Sequence, residues 1–175
     1  MRSEYIFKEE LRHVLAALSP ENRLACEISL TTGLRLGDVL NLRADQIKER
    51  VTVRELKTGK NRAVRFPPEL LDRMAKLSGK VYVFEHRYDH RRHRTRQAVF
   101  KDLKRAAALF KVPVHVSPHS CRKVWAVEQY HRTGDLKKVQ KLLNHSSEAV
   151  TQLYALADVL TERRVRPGQR QARRN

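Results

Sequence analysis

Apolar residues recur at helical spacing along much of the chain, and in one segment they alternate with polar residues instead. Residues 7–18 and 20–33 have the apolar spacing of amphipathic helices. Ser19 suits the cap of the second helix, Pro20 its first turn and Gly33 its end. A new short helix is predicted over residues 37–42.

The period-two segment covers residues 46–66 and predicts a small antiparallel sheet. Its alternating apolar positions are Val51, Val53, Val64 and Phe66. Between the two pairs stands KTGKN, in which Gly59 is the turn residue. The hairpin would present Lys57 and Lys60 near its tip, although hairpin lysines are commonly only solvated.

Helical spacing returns after Pro67-Pro68, over residues 69–77. Residues 81–84 are compatible with a short strand or a loop. Thr95 suits the cap of a helix that runs to about residue 110, with inward positions at Val99, Phe100, Leu103, Ala107 and Phe110. Residues 119–154 predict three short amphipathic helices, the second over 136–143 with Leu136, Val139, Leu142 and Leu143 as its apolar positions. The fold class expected is α+β, mainly α-helical, with a small antiparallel β-sheet near residues 46–66.

Composition narrows the functional classes. The chain of 175 residues suits one domain, and 37 Lys and Arg against 19 Asp and Glu give a net charge of +18. Such an excess favours a polyanionic partner, above all nucleic acid, although a ribosomal-type or merely soluble basic protein has the same composition. No apolar run is long enough to span a bilayer, and the N-terminus lacks the apolar region of a signal peptide. We therefore expect a cytoplasmic, nucleoid-associated protein without membrane contact.

The segment EHRYDHRRHRTR admits two interpretations. On a helix, His86, His90 and His93 would share one face and suggest a metal site. No cysteine accompanies them and the intervening arginines would repel a cation, so a basic loop over a phosphate backbone is favoured and no metal is expected. The residues predicted to contact DNA are Lys60, Arg62, Arg87, Arg91, Arg92, Arg94, Arg96 and Lys123.

The candidate chemistry lies mostly in residues 119–154. His119 and Arg122 are three residues apart and share a helix face, and His145 and Tyr154 follow. Together they are a potential nucleophile and donors suited to a phosphate, although each alone is more often structural or solvated. Upstream, Arg35 stands at a junction between two predicted helices, with Asp38 one turn on to buttress it or a neighbouring arginine.

Five elements in order resemble the catalytic domain of the tyrosine recombinase family, the phage integrases and their relatives. They are TTGLRLGDVLNL, ELKTGKNRAVRFP, HSCR, LLNHSS and TQLYALAD, and the resemblance as a whole covers the chain from about residue 8 to 160. The resemblance assigns the catalytic positions to Arg35, Lys57, His119, Arg122, His145 and Tyr154, with Asp38 behind them. Departures are mild: Asp38 replaces the more usual Glu, Asn144 the usual Gly, and Cys121 and Lys123 the common Leu and His.

The resemblance implies attack of Tyr154 on a DNA phosphodiester, giving a 3′-phosphotyrosyl link and a free 5′-hydroxyl. Covalent catalysis conserves the bond energy, so neither ATP nor any other cofactor is expected. Arg35, Arg122 and His145 would bind the phosphate oxygens. Lys57, or Lys60 three residues on, is the candidate acid for the leaving oxygen. His119 would accept the tyrosine proton or orient the phosphate.

The resemblance also bears on organisation and partners. We expect a catalytic domain over residues 1–165, a basic flexible tail over 166–175 and no N-terminal core-binding domain. The implied partner is double-stranded DNA, bound by a homotetramer on paired sites that is a monomer or weak oligomer when free. Two other functions use the same residues or fold: type IB topoisomerase-like nicking and closing, and DNA binding by a regulator without turnover.

Overall fold

The structure, a computed structural model, describes residues 6–143 of the chain. Its helices are α1 (Lys8–Ala16), α2 (Pro20–Thr32), α3 (Leu36–Leu40), α4 (Pro68–Leu77), α5 (Arg96–Leu109), α6 (Pro118–Thr133) and α7 (Leu136–Leu143), with a 3₁₀ turn at Ala44–Gln46. Its strands are β1 (Arg50–Arg54), β2 (Asn61–Arg65), β3 (Glu85–His86) and β4 (Asp89–His93). The fold is thus mainly helical with small antiparallel sheets, as predicted.

The chain divides into two compact units, Met1–Trp125 and Ala126–Asn175. In the first unit, α1 to α5 enclose one hydrophobic core, whose fully buried members include Leu11, Leu24, Ile28, Val39 and Leu103. In the described part of the second unit, α7 buries Val139 and Leu143 and exposes its three lysines. Leu142, predicted to be inward, is 38% exposed. Among residues 6–143, no helix is both long and apolar enough to cross a bilayer.

Helix α2 ends where the sequence predicts, and its end matters for the site. Gly33 takes the left-handed conformation with φ of 69°, which stops the helix. A Cβ at this position would also overlap the ring of Trp125. At the other end Ser19 is the N-cap residue as predicted, but its side chain makes no capping hydrogen bond. Its backbone N–H instead donates to Asp102 Oδ2 on α5 over 2.9 Å.

Strands β1 and β2 form the predicted antiparallel hairpin, with Val51 opposite Val64 and Val53 opposite Arg62. Val53 and Val64 are buried while the residues on either side of Val53 are exposed, as the period of two requires. Across the turn, Glu55 N–H donates to the Lys60 carbonyl over 2.9 Å. The turn therefore presents Lys57 and Lys60 as exposed residues.

The histidine-rich segment is a second hairpin and not a helix. Strand β3 contains His86 and β4 runs through His90 to His93, so the helix face that would have grouped them does not exist. Just before it, residues 81–84 contain no regular strand; Tyr82 makes a single bridge with Arg43. Val83 N–H donates to the Leu42 carbonyl over 2.9 Å. These residues are therefore a loop anchored to the chain after α3.

Helix α5 begins as predicted, with Thr95 Oγ1 accepting the Ala98 N–H over 3.2 Å. Its buried stripe contains Val99, Leu103, Ala106 and Ala107. Two predicted core residues lie outside this stripe, since Phe100 is 36% and Phe110 48% exposed. The buried stripe is therefore narrower than the aromatic residues suggested, and Phe110 follows the last residue of the helix.

Candidate active site

One open cleft of about 430 Å³ contains three of the predicted catalytic residues. It is lined by Arg35, Leu36, Gly37, Arg96, Gln97, Phe100, Ser117, Pro118, His119 and Arg122. All of these residues lie in the first unit. The cleft therefore joins the start of α3, the start of α5 and the first turns of α6.

Arg35 is aimed by the backbone on both sides of it. It is the residue that caps α3, with φ of −69° and ψ of 146°, and it follows the fully buried Leu34. Its Nη1 donates to Glu55 Oε2 over 2.8 Å, and its side chain is 21% exposed. The backbone at the start of α3 fixes one end of this side chain, and the bond to Glu55 fixes the guanidinium at the other end. The guanidinium can therefore bind a ligand in the cleft with little further loss of rotamer entropy.

Arg122 is 2% exposed, and its Nη1 donates to the Gly33 carbonyl over 2.5 Å. Burial lowers its pKa from the ordinary value, and the charges of Arg35 and Arg62 lower it further, while Glu55 and Asp38 act in the opposite direction. A guanidinium starts from so high a pKa that it remains a cation at neutral pH. The carbonyl at the end of α2 thus fixes a buried positive charge beside the cleft.

Glu55 is a site residue that the sequence reasoning missed. It is completely buried, and its Oε2 accepts hydrogen bonds from Arg35 Nη1 and from Thr58 Oγ1, each over 2.8 Å. The signal was present in the alternation of β1, because Glu55 continues the inward series of Val51 and Val53. A carboxylate at an inward position demands a buried cation as its partner.

Arg62 was predicted to contact DNA, but its side chain is only 9% exposed. Its guanidinium donates to the carbonyls of Thr32 over 2.6 Å and Gly33 over 3.1 Å. It also lies 3.7 Å from Glu55 Oε1 and stacks over the Trp125 ring at 5.2 Å. Burial lowers its pKa, and Glu55 opposes that shift. This placement is that of an internal support, since so little of the side chain is left for a surface contact.

Asp38 was expected to buttress Arg35 or a neighbouring arginine, and its hydrogen bond is made to a backbone N–H. The residue is 2% exposed, and its Oδ1 accepts the backbone N–H of Leu56 over 2.8 Å. Asp38 therefore ties α3 to the turn of the β1–β2 hairpin, one residue before Lys57. Its charge also acts on two of the arginines, because it opposes the lowering of the pKa of Arg122 and of Arg62.

His119 lies on the rim of the cleft and retains solvent exposure. Its pKa is lowered to about 4, first by desolvation and then by the charges of Lys123, Arg122, Arg35 and Lys57. At neutral pH the imidazole is therefore uncharged and able to accept a proton. The influence of Lys57 also places that lysine within electrostatic reach of the cleft.

The other predicted DNA contacts occupy varied positions. Exposed positions hold Lys60, Arg87, Arg91, Arg92 and Arg96, the last of which lines the cleft. Arg94 is half-buried, and its Nε donates to Asn22 Oδ1 over 2.6 Å. Lys123 is half-buried, and desolvation lowers its pKa. These contacts, with that of Arg62, stay predictions.

Two of the predicted catalytic residues, His145 and Tyr154, lie outside the described residues, as does Asn144. Within the described residues the donor set is thus Arg35, Arg122 and His119, and the charge of Lys57 acts on His119. Among residues 6–143, no three His, Cys, Asp or Glu side chains are grouped so as to hold a metal ion.

Known proteins resemble this chain in sequence and in fold. The tyrosine recombinase XerD of Lacticaseibacillus casei is 31% identical over 150 residues, which are 78% of this chain and 50% of XerD. The chain spans about half the length of curated relatives such as this one and the XerA recombinase of Pyrococcus furiosus, of which 55% is covered.

Two solved structures share the fold. XerH recombinase bound to a palindromic difH substrate matches with a TM-score of 0.69 and 19% identity, over 86% of this chain and 48% of XerH. A lambda integrase dimer bound to a COC′ core site gives 0.69 and 21% identity, over 87% of this chain and 48% of that one. The sequence model of the phage integrase family matches residues 4–159. With most of its length matched in this way, the chain belongs to the phage integrase family.

Proposed function

We propose that the protein is a site-specific DNA recombinase that cleaves and rejoins DNA strands through a 3′-phosphotyrosyl intermediate at Tyr154. The observation that carries the proposal is the pair of guanidiniums at one cleft. Arg35 is anchored to Glu55 and Arg122 to the Gly33 carbonyl, so both are held before a substrate arrives. The curated relatives are tyrosine recombinases, which supports the same reaction class.

The two arginines suit the charge that develops when a phosphodiester is attacked. The five-coordinate transition state concentrates negative charge on the non-bridging oxygens, and each guanidinium can donate two parallel hydrogen bonds to them. Because the donors are already oriented, little reorganisation is needed at the moment of reaction. Removing one such donor typically lowers the rate by a factor of about 100 to 1,000.

His119 is our candidate acceptor for the proton of Tyr154. Its imidazole is neutral at pH 7, because desolvation and the surrounding cations lower its pKa to about 4. A bound phosphate brings negative charge next to the ring and offsets those cations, which raises the pKa of His119 and strengthens it as a base. Lys57 would give a proton to the leaving 5′ oxygen, and His145 would add a donor to the phosphate.

We further propose double-stranded DNA as the substrate, with two pairs of protomers forming a tetramer on paired sites. The net charge of +18 supports a polyanionic partner. The XerH neighbour is bound to a palindromic difH substrate, and the lambda integrase neighbour is a dimer bound to a COC′ core site. Association with the nucleoid belongs to the same proposal.

The test is formation of a covalent adduct between the protein and DNA duplexes that carry a nick just 3′ of a candidate scissile phosphate. The duplexes are a pool whose sequences come from the DNA that flanks the coding sequence. Cleavage next to the nick releases a short 5′-hydroxyl fragment, so the protein–DNA link accumulates. It should form without metal or ATP, resist denaturant and disappear in Tyr154→Phe. Tyr88→Phe is the matched control, because Tyr88 is 82% exposed on the second hairpin and should leave the adduct intact.

Other outcomes would replace the proposal. Salt-sensitive DNA binding without any adduct would indicate a regulator that uses the fold for binding alone. An adduct together with relaxation of plasmids by monomers, without any need for paired sites, would indicate the type IB topoisomerase-like activity.

A further inference from the structure

The β1–β2 hairpin carries a buried carboxylate, Glu55, that binds the cleft residue Arg35 and has no role in the mechanism so far. We propose that Glu55 is a positioning residue for DNA cleavage, which acts by holding Arg35 in the orientation that receives the scissile phosphate. This inference rests on the proposed function, because it concerns the same phosphate.

The first argument is the geometry around the carboxylate. Glu55 is completely buried, and its Oε2 lies 2.8 Å from Arg35 Nη1. The same oxygen accepts the hydroxyl of Thr58 over 2.8 Å, so the carboxylate is itself held in place. One residue further, the Leu56 N–H is bound to Asp38 Oδ1, which fixes the backbone that carries Glu55. Arg35 is thus attached to an anchor that has little freedom to move.

The second argument is the number of donors on a guanidinium. Arg35 has five N–H groups, and its bond to Glu55 is made through Nη1. The remaining N–H groups outnumber the two that a bidentate phosphate contact requires. A carboxylate at one edge of the guanidinium can therefore orient the group without competing for every donor.

The third argument is the crowding of positive charge. Arg35, Arg62 and Arg122 lie close enough that each of the first two lowers the pKa of Arg122, while Glu55 opposes them. Glu55 Oε1 is 3.7 Å from Arg62 Nη1, so the one carboxylate faces two of the three guanidiniums. A buried negative charge at this point lets the arginines stay close together, and the site still keeps a net positive charge for the phosphate.

The experiment measures single-turnover adduct formation and DNA affinity separately for Glu55→Gln. This variant keeps the shape of the side chain and removes its charge. At saturating protein the cleavage rate should fall by about 10- to 100-fold, because a small misplacement of a positioned group is enough for such a loss. The dissociation constant for DNA should change less than about threefold, since most of the affinity comes from other phosphate contacts.

Glu49→Gln is the matched control. Glu49 precedes the same hairpin and pairs with Arg65 over 2.8 Å, but its side chain is 54% exposed. It should leave both rate and affinity unchanged. Thr58→Val provides a second route to the same conclusion, because it removes the hydroxyl that donates to the Glu55 carboxylate and leaves that carboxylate in place. The same hydroxyl accepts the Lys60 N–H over 3.3 Å, so the variant removes that exposed bond as well. We expect a smaller fall in the cleavage rate of Thr58→Val, of about threefold to tenfold. This variant tests the proposal even if Glu55→Gln folds poorly.

A double-mutant cycle with Arg35→Lys separates positioning from general structural support. Lysine lacks the planar guanidinium that Glu55 would orient. Adding Glu55→Gln to Arg35→Lys should therefore lower the cleavage rate by less than about threefold. Additive losses of cleavage rate in the double-mutant cycle would overturn the proposal. So would an unchanged cleavage rate in both Glu55→Gln and Thr58→Val. If the wild-type protein forms no adduct, the proposed function fails, and this inference fails with it.

Discussion

The two β-hairpins of the first unit are both rich in arginine, and the first differs from the second in turning one arginine, Arg62, inward. On the β1–β2 hairpin, Arg62 turns inward and is only 9% exposed, with Glu55 beside it. On the β3–β4 hairpin, Arg91 and Arg92 are exposed to solvent. Arg87 of the same hairpin stacks over Tyr88 at 5.4 Å, and that tyrosine is itself 82% exposed.

The difference lies in what stands beneath each hairpin. The inward face of β1–β2 contributes Val53 and Val64 to the core, and the end of α2 offers the carbonyls of Thr32 and Gly33 to an arginine. No residue of β3–β4 reaches full burial. An arginine can be buried beside an active site only where a buried carboxylate and backbone carbonyls are present to bind its guanidinium. Elsewhere its charge remains in water and is available to a distant polyanion.

The largest expected effect is on stability, from Arg62→Ala. Removing the guanidinium leaves the Glu55 charge buried with one cation fewer, and breaking a buried pair in this way costs about 3–5 kcal/mol. Arg91→Ala removes the same type of side chain from an exposed strand and should change stability by less than about 0.5 kcal/mol. Urea denaturation of both variants measures the difference. Equal losses would mean that the two hairpins do not differ as described.

A second test concerns the glycines beneath and at the tip of the first hairpin. Gly33 has φ of 69°, and a Cβ there would overlap the Trp125 ring; Gly59 has φ of 66° and open space around it. Gly59→Ala should therefore cost only the left-handed backbone, about 1–2 kcal/mol. Gly33→Ala adds overpacking, typically about 1–3 kcal/mol more. Thermal unfolding distinguishes them, and a Gly33→Ala variant no less stable than Gly59→Ala would show that the packing at Gly33 is loose.

The second hairpin should matter for DNA affinity and not for chemistry. Replacing Arg87, Arg91 and Arg92 together by Ala should weaken DNA binding about tenfold or more and reduce the salt slope by roughly 0.9 per lost phosphate contact. The cleavage rate at saturating protein should stay the same. A control with equal charge replaces Arg65, Lys76 and Arg105, which pair with Glu49, Asp72 and Asp102. If both triple variants bind DNA equally well, net charge alone accounts for the binding.

The smallest expected effect identifies which lysine of the first hairpin faces the cleft. Lys57 is among the cations that lower the pKa of His119 to about 4. Removing that charge in Lys57→Gln should raise the pKa of His119 slightly, because the protonated ring loses a repulsion. Lys60→Gln should leave it unchanged. Titration of the His119 ring by NMR measures both, and a larger shift in Lys60→Gln would make Lys60 the candidate acid.

The lowered pKa of His119 also determines how the free energy of unfolding changes with pH, although the change is small. An unfolded histidine titrates near pH 6.5, and His119 in the folded protein near pH 4. Between these values the unfolded chain binds more protons, so stability falls as the pH is lowered through this window. His119→Gln should reduce that slope by a small amount, because the ring is partly in water. A slope unaffected by the variant would mean that other groups account for it.

Much of the local structure follows from the sequence. The spacing of apolar residues and the positions of turn and capping residues predict four features. They are α2 with its end at Gly33, the β1–β2 hairpin, the Thr95 cap of α5 and the bounds of α7. These features depend on neighbours within a few residues, where helix spacing, strand alternation and turn chemistry act directly. The family was also predictable, because five short motifs stand in order.

The sequence did not determine the partners of the charged residues. The sequence alone does not distinguish among its 37 basic residues. Only the packing of the folded chain shows that Arg62 is buried and Arg91 exposed. The same holds for Asp38, which binds the backbone of Leu56 eighteen residues away, and for Glu55, which meets Arg35 from another element. Long-range ion pairs depend on which surfaces the core brings together, and that information belongs to the tertiary structure. The sequence supplied the reacting groups, and the fold decided which of them are held in place.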